Sequence, residues 1–213
     1  MPSFHSPPAN KTATGMNFPA SAGNLSCEAH MAITPEQLLE QALVLRSQLG
    51  DEAAFAELLA AHGPRLRRFT ERMLQSDPTL VADLTQETWL AIFRALPGLR
   101  DAGKFRPWAF RIARDRIYRE YRRRRLPVAP LDDALLAELP VADETATAAD
   151  REELELCLDA LSPEHREALV LRFLEDFSYE DIARATGATV GTVRSRIHYG
   201  KRALRATWEG RKL

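Results

Sequence analysis

Residues Ser178–Leu204 read SYEDIARATGATVGTVRSRIHYGKRAL, and this stretch decides how the C-terminal part of the chain folds. Ser178 and Thr189 are residue types that begin helices, because their side-chain oxygens accept hydrogen bonds from backbone N–H groups of the first turn. Gly187, between them, suits the left-handed conformation that commonly ends a helix. The spacing therefore predicts a short helix, a tight turn and a longer helix, which is a helix-turn-helix.

Helical periodicity divides the second helix of this motif into two faces. The inward face is predicted to carry Val193, Ile197, Gly200, Leu204 and Trp208. The outward face carries Ser195, Tyr199 and Arg202, flanked by Arg194 and Arg196. Arginine pairs bidentately with guanine in a major groove, and serine bonds a base edge or a phosphate. A basic helix that merely faces solvent is the alternative, but the complete turn spacing favours a DNA-reading helix.

The composition is that of a globular protein with segregated charge. Its 213 residues are 45% hydrophobic and 28% charged, which suffices for one large domain or two small ones. The net charge is only −1, yet arginine dominates residues 111–125 and residues 126–150 contain no lysine or arginine. Two basic regions with an acidic connector indicate a polyanionic partner.

Membrane, metal and cofactor classes receive no support from the sequence. No apolar run approaches the roughly 20 residues needed to cross a bilayer, and the N-terminus does not resemble a secretory signal. We therefore expect a cytoplasmic protein without membrane insertion. The two cysteines, Cys27 and Cys157, form neither a disulfide framework nor a clustered zinc site, and Cys157 is predicted to lie in the core. No cofactor and no metal are expected.

The chain divides into four segments. Residues 1–33 are rich in small and polar types and predict a disordered tail, within which Met31 is a candidate translation start. Helix-start signals follow at Thr34-Pro35, Asp51 and Asp77-Pro78, with apolar residues every three or four positions. The predicted fold is all-α, with a helical domain at 34–125, an acidic proline-containing linker at 126–149 and a second helical domain at 150–213.

The first helical domain carries two further patterns. DLTQETWLAIFRAL, at Asp83–Leu96, has one apolar face and a second patch of Trp89, Leu90 and Phe93, which predicts a binding surface. The apolar face is made of Leu80, Leu84, Ala91, Ile92 and Ala95.

In the helix that follows this segment, the inward positions are Phe110, Ala113, Ile117 and Tyr121, and the outward stripe is Arg111, Arg119 and Arg122. Asp115 lies four residues from both Arg111 and Arg119, so we expect ordinary surface ion pairs there.

Four segments in order resemble the extracytoplasmic-function group of the sigma-70 family of bacterial sigma factors. They are DLTQETWLAIFRAL, KFRPWAFRIAR, LSPEHREALVLRFLEDFSYEDIA and GTVRSRI, and the resemblance spans about residues 50–206. It implies two helical domains, called regions two and four, joined by a short linker. It also implies promoter-specific transcription initiation with core RNA polymerase and promoter DNA as partners, no catalysis and no small-molecule substrate.

The resemblance assigns residues to three surfaces. Contacts to the clamp helices of the polymerase β′ subunit would come from Asp83, Gln86, Glu87, Leu90 and Phe93. The minus-ten element would be held by Arg100, Lys104, Arg106, Trp108, Arg111, Arg114, Asp115, Arg119 and Arg122. The minus-thirty-five element would be read by Thr192, Arg194, Ser195, Arg196 and Tyr199. A contact to the polymerase β flap and an anti-sigma factor are implied as well.

Two departures and two alternative functions accompany this interpretation. Asp115 stands where the family commonly has asparagine, and Tyr199-Gly200 replace a common Arg-Ala pair. One alternative is a helix-turn-helix regulator that binds DNA without polymerase. The other is an enzyme acting on nucleic acid with Asp83, Glu87 and Asp181 as metal ligands. The sequence offers this enzyme neither paired histidines nor a glycine-rich phosphate loop to complete a site.

Overall fold

A computed structural model describes residues 33–75, 78–124 and 148–211, which form helices and turns without a strand. Nearly all of the predicted tail and of the predicted linker lie outside these residues. The α-helices of the described residues are α1 Pro35–Gln48, α2 Glu52–Leu74, α3 Pro78–Ala95, α4 Phe105–Arg123, α5 Ala148–Asp159, α6 Pro163–Leu169, α7 Tyr179–Thr186 and α8 Val190–Arg211. Single 3₁₀ turns occur at Leu96–Gly98 and Ala102–Lys104, and a π-helical turn occurs at Val170–Leu174. In the described part of the chain, none of the helices combines the length and apolar character needed to cross a membrane.

Several helix starts lie where the sequence predicts them. Helix α1 begins at Pro35 and α3 begins at Pro78. Asp51 caps α2, since its carboxylate accepts a hydrogen bond of 3.0 Å from the Ala54 backbone N–H. Ser178 caps α7 in the same way, accepting from the Asp181 N–H at 3.1 Å. These predictions are confirmed because a capping hydrogen bond depends only on neighbouring residues.

The N-terminal block, defined as α1 to α4, surrounds an aromatic and aliphatic core. Phe69 and Phe110 are almost completely buried, with ring centroids 5.2 Å apart. The inward positions predicted for α4 are confirmed, since Ala113, Ile117 and Tyr121 are buried as well. This core fixes α4 against α2 and α3, so that α4 exposes only part of its surface.

The C-terminal block, defined as α5 to α8, has its own apolar core. Cys157 is completely buried, as predicted. The other buried apolar side chains in the described part of the block are Leu158, Leu161, Ala168, Leu169, Val170, Leu171, Phe177, Ile182, Ala185, Val193 and Ile197. The core holds the helix-turn-helix against α6, so that the face of α8 opposite this core is available to a partner.

The two blocks are in direct contact. Phe177, just before α7, packs its ring against Phe110 of α4 with centroids 5.1 Å apart. Arg166 of α6 donates hydrogen bonds to the carbonyls of Arg72 and Met73 at the end of α2. We call this surface, where α4 and the end of α2 meet α5 to α7, the interblock contact. The domain boundaries inferred from the sequence remain a prediction.

Candidate nucleic-acid interface

The helix-turn-helix is formed by α7, Gly187 and α8. Gly187 has φ 72°, and its N–H donates to the Ala183 carbonyl at 2.9 Å, which ends α7 in a left-handed residue. Thr189 accepts a hydrogen bond of 3.1 Å from the Thr192 N–H and so caps α8. Ile182 and Val193 are fully buried between the two helices. The predicted motif is therefore confirmed, because its turn and both caps are locally encoded.

The side chains on the outward face of α8 differ in how far they are exposed to solvent. Arg194 is exposed, with its guanidinium carbon 5.9 Å from the centre of the Tyr179 ring. Ser195, Tyr199 and Arg196 are partly buried, and Arg196 Nε is enclosed without a hydrogen-bond acceptor among the described residues. Arg194 is thus the most exposed of the residues predicted to read DNA, whereas the Arg196 side chain lies partly against the protein.

The inward face of α8 follows the prediction most closely near its start. Val193, Ile197 and Gly200 are buried, whereas Leu204 and Trp208 are only partly buried. A Cβ at Gly200 would lie 3.1 Å from Leu169 Cγ, closer than neighbouring carbon atoms normally approach. The absence of a side chain at Gly200 therefore lets α8 pack closely on α6.

Most of the basic residues predicted for the minus-ten surface fall into two sets. The first set projects to solvent and consists of Arg111, Arg119 and Arg122, as predicted. Asp115 is also exposed, but its ion pair is with Arg114 at 3.8 Å rather than with the arginines four residues away. Arg100, before α4, is exposed, and Trp108 in its first turn is partly buried.

The second set, Lys104, Arg106 and Arg114, faces the interblock contact. Arg106 donates a 2.6 Å hydrogen bond to the Glu175 carbonyl, and its guanidinium carbon lies 5.1 Å from the centre of the Phe177 ring. The Lys104 ammonium lies 3.7 Å from an Asp181 carboxylate oxygen. These members of the predicted minus-ten set are therefore engaged by the C-terminal block.

Glu167 of α6 lies at the centre of the interblock contact. It is completely buried, its Oε1 lies 2.8 Å from Arg114 Nε, and its Oε2 accepts a 3.0 Å hydrogen bond from the Tyr118 hydroxyl. Burial raises the pKa of Glu167 to about 7, although the nearby charges of Arg114 and Arg196 and the Tyr118 hydrogen bond oppose this shift. Arg114 also stacks over Tyr118, with its guanidinium carbon 4.2 Å from the ring centre.

Helix α3 carries the predicted partner patch with one correction. Leu90 and Phe93 are 47% and 53% exposed, and Asp83, Gln86 and Glu87 are exposed on the same side, at spacings of three and four residues. Trp89, predicted to belong to this patch, is instead buried in the core with its ring edge-on to Phe55. Ala95, predicted for the inward face, is exposed.

Three residues of these surfaces were not identified from the sequence. Glu167 and Arg166 lie within a recognised motif, but their spacing does not reveal that they are buried against another block. Leu59 of α2 is 43% exposed one turn from Phe55, whose ring contacts Phe93. The only signal for Leu59 in the sequence is that an apolar residue stands at a position of α2 where the helical pattern expects a polar one.

The metal-ion alternative gains no support from the geometry. Within residues 33–75, 78–124 and 148–211, no group of three or more His, Cys, Asp or Glu side chains is arranged to hold a metal ion. Asp181, one of the three carboxylates considered, instead pairs with Arg184 at 3.0 Å and accepts from Ser178. Its carboxylate thus takes part in a helix cap.

Family models and relatives agree with this geometry. Residues 58–126 match the model of sigma-70 region 2, and residues 151–204 match that of sigma-70 region 4. The RNA polymerase sigma factor CarQ of Myxococcus xanthus is 32% identical over 73% of this chain and 90% of its own length. The chain belongs to the extracytoplasmic-function sigma factors of the sigma-70 family.

Further relatives are named ECF RNA polymerase sigma factors. The sigma-E factor of Escherichia coli K12 is 31% identical over 79% of this chain and 94% of its own length. SigE of Mycolicibacterium smegmatis is 38% identical over 73% of this chain, and the chain spans 63% of that relative's length. Among solved structures, CnrH in complex with the cytosolic domain of CnrY matches with a TM-score of 0.62 and 26% identity, covering 81% and 98% of the two chains.

Membership of the family establishes the activity in outline. Sigma factors are non-enzymatic, DNA-binding initiation factors that bind core RNA polymerase and promoter DNA, so this sigma factor directs transcription initiation. The structure neighbours include RpoE of Bartonella quintana in complex with the anti-sigma factor NepR, with a TM-score of 0.59 and 26% identity.

Proposed function

We propose that this sigma factor uses separate helix faces for polymerase and for the two promoter elements. The observation that carries the proposal is that α4 and α8 each present arginines to solvent, in segments that match region 2 and region 4 respectively. Exposed arginines neutralise backbone phosphates and pair with base edges. Two such faces on one chain suit two promoter elements.

The polymerase contact is proposed for the α3 patch, defined as Asp83, Gln86, Glu87, Leu90 and Phe93. Exposed apolar side chains beside carboxylates suit a partner that offers both apolar area and positive charge. Leu59 on the neighbouring helix extends the apolar part of this surface. The partner element is the pair of clamp helices of the polymerase β′ subunit, with the β flap contacting the C-terminal block.

The minus-ten element is proposed to bind at α4 and the loop before it, at Arg100, Lys104, Arg106, Trp108, Arg111, Arg114, Asp115, Arg119 and Arg122. Taking a base out of its stack costs a few kcal/mol, which arginine and tryptophan contacts can offset. The minus-thirty-five element is proposed to be read by Thr192, Arg194, Ser195, Arg196 and Tyr199. The protein is proposed to act in the cytoplasm and to form a complex with an anti-sigma factor, as RpoE of Bartonella quintana does.

Run-off transcription with purified core polymerase on a library of genomic fragments tests the activity directly. We expect the protein to confer initiation at a defined set of promoters. Absence of start-site selection would refute the proposal, and tight duplex binding without polymerase would favour the regulator alternative.

A paired substitution tests the polymerase surface. Gln86→Ala with Glu87→Ala removes two exposed polar groups of the α3 patch and should weaken binding to core polymerase while the helical content stays unchanged. Glu36→Ala with Gln37→Ala, an exposed pair of the same residue types on α1, is the matched control. Equal retention of polymerase by both variants in a pull-down would contradict the clamp assignment.

A further inference from the structure

We propose that Tyr179 is a positioning residue for DNA reading, because its ring holds Arg194 in an orientation that suits a base edge. This inference rests on the minus-thirty-five role proposed above for α8. Tyr179 is the first residue of α7, so it lies outside the helix that carries the predicted reading residues. The helix before the turn thus helps to determine which base pair the helix after the turn prefers.

The contact between Arg194 and Tyr179 joins a cation to an aromatic ring. The Arg194 guanidinium carbon lies 5.9 Å from the centre of the ring, within the roughly 6 Å over which such contacts attract. Arg194 is exposed, and in the described part of the chain no carboxylate forms an ion pair with it. The ring is therefore the group that restricts where this guanidinium lies.

An aromatic ring orients an arginine without occupying its hydrogen-bond donors. A guanidinium has five N–H donors, and a carboxylate partner accepts one or two of them. Arg184 of α7 shows that arrangement, since its Nη1 lies 3.0 Å from a carboxylate oxygen of Asp181. The Tyr179 ring instead attracts the charge of Arg194 through its π face. The two donors that a bidentate guanine contact requires therefore stay available.

The Tyr179 ring is itself held in place. Tyr179 directly follows Ser178, whose hydroxyl caps α7, and its side chain packs partly buried against the core. A second arginine contacts the same ring, since the Arg172 guanidinium carbon lies 5.5 Å from the ring centre. Arg172 is anchored by a 3.0 Å hydrogen bond from its Nη1 to the Phe177 carbonyl. A ring fixed in this way leaves the neighbouring arginine of α8 less conformational entropy to lose on binding.

A second cation–ring pair on α8 provides a matched control. Lys201 Nζ lies 4.6 Å from the centre of the Phe173 ring. Lys201 is about two helical turns beyond Arg194 and does not belong to the predicted reading residues. Phe173→Leu therefore removes a ring from a cation of the same helix without disturbing the proposed contact to a base.

Competitive run-off transcription with the complete holoenzyme measures discrimination one base pair at a time. Templates are derived from a promoter found in the library experiment and carry single base-pair changes across the minus-thirty-five element. Arg194→Ala identifies the pair that Arg194 reads, as the one at which this variant loses discrimination by about tenfold. The other base pairs of the element are internal references for the state of the helix-turn-helix.

We expect Tyr179→Leu to reduce discrimination about threefold at the pair that Arg194 reads and to leave discrimination at the other pairs unchanged. Tyr179→Phe keeps the ring, so it should retain the parental value, and Phe173→Leu should retain it as well. In the Arg194→Ala background, Tyr179→Leu should cause no further loss at this pair, because the ring acts only through the arginine.

Three results would overturn the inference. They are unchanged discrimination in Tyr179→Leu, an equal loss at every base pair, and a loss in Tyr179→Phe as large as that in Tyr179→Leu. The second indicates a general disturbance of the motif, and the third assigns the effect to the hydroxyl.

The Arg194→Ala variant separates this inference from the proposed function. If it loses discrimination while Tyr179→Leu does not, the positioning role is refuted and reading by α8 stands. If it loses discrimination at no base pair, Arg194 is not a reading residue and the role given to Tyr179 fails with it.

Discussion

Acidity should favour the closed form, in which the two blocks are in contact, over an open form in which they have separated, because the buried Glu167 carboxyl holds a proton more tightly than it would in water. Its pKa is about 7 in the closed form and returns toward the ordinary value of 4.5 when the blocks separate. Below about pH 4.5 the carboxyl is protonated in both forms, and above about pH 7 it is ionised in both. Between these values the closed form keeps a proton that the open form releases, so the closed form loses stability as the pH rises.

The size of this pH dependence follows from the shift in the pKa of Glu167. Each pH unit inside this window multiplies the ratio of open to closed molecules about tenfold, and the whole window corresponds to about 3 kcal/mol. The ionisable and charged groups around this carboxyl come from α4, α8 and its own helix, and they are Arg114, Tyr118, Arg196, Glu164 and His165. Burial lowers the pKa of His165, and the two charged neighbours of this imidazole, Glu164 and Arg196, both belong to the C-terminal block.

Glu167→Gln isolates the contribution of the carboxyl because it keeps the shape of the side chain and removes its titration. The distance distribution between spin labels at Arg94→Cys and Arg205→Cys, two exposed positions on opposite blocks, is recorded from pH 5 to pH 8 and measures the open fraction in both proteins. We expect the open fraction of the parent chain to rise with pH more steeply than that of Glu167→Gln. Equal slopes, or a steeper slope in Glu167→Gln, would refute the role given to the carboxyl.

Two further substitutions test the core and the DNA-reading face. Phe110→Ala removes a buried ring that contacts two other phenylalanine rings, and urea unfolding should show a loss of about 3–5 kcal/mol in the free energy of unfolding. A loss below about 1 kcal/mol would show that the ring is not a core element. Arg196→Ala should reduce discrimination between minus-thirty-five sequences by about 1–3 kcal/mol in competitive run-off transcription. An unchanged promoter preference would remove Arg196 from the reading residues.

Local signals in the sequence predicted the helices well. Asp51, Ser178, Gly187 and Thr189 act through hydrogen bonds or backbone conformations within a few residues, so their consequences can be inferred without the rest of the fold. Trp89 was misassigned for the opposite reason. Its position on a helical wheel suggested the α3 patch, but Phe55 from α2 supplies a neighbour that the wheel does not contain.

The interblock contact could not be inferred from pattern alone. Arg106 and Arg114 have the residue type and spacing of DNA ligands, and the same properties suit a carbonyl or a carboxylate of the C-terminal block. Glu167 follows Arg166 in a helix rich in charged residues, where burial of either side chain is unexpected. Only the three-dimensional arrangement shows that both are buried, and that they meet α4 and the end of α2.

Arg166 has a consequence for how quickly the two blocks can rejoin. Besides the carbonyls of α2, its guanidinium bonds the carbonyls of Leu158, Asp159 and Leu161 within its own block. Those three bonds can persist when the blocks part, so the side chain stays oriented as it was. The Arg166 side chain then has little rotamer entropy to lose when the blocks dock again, so the interblock contact can re-form rapidly.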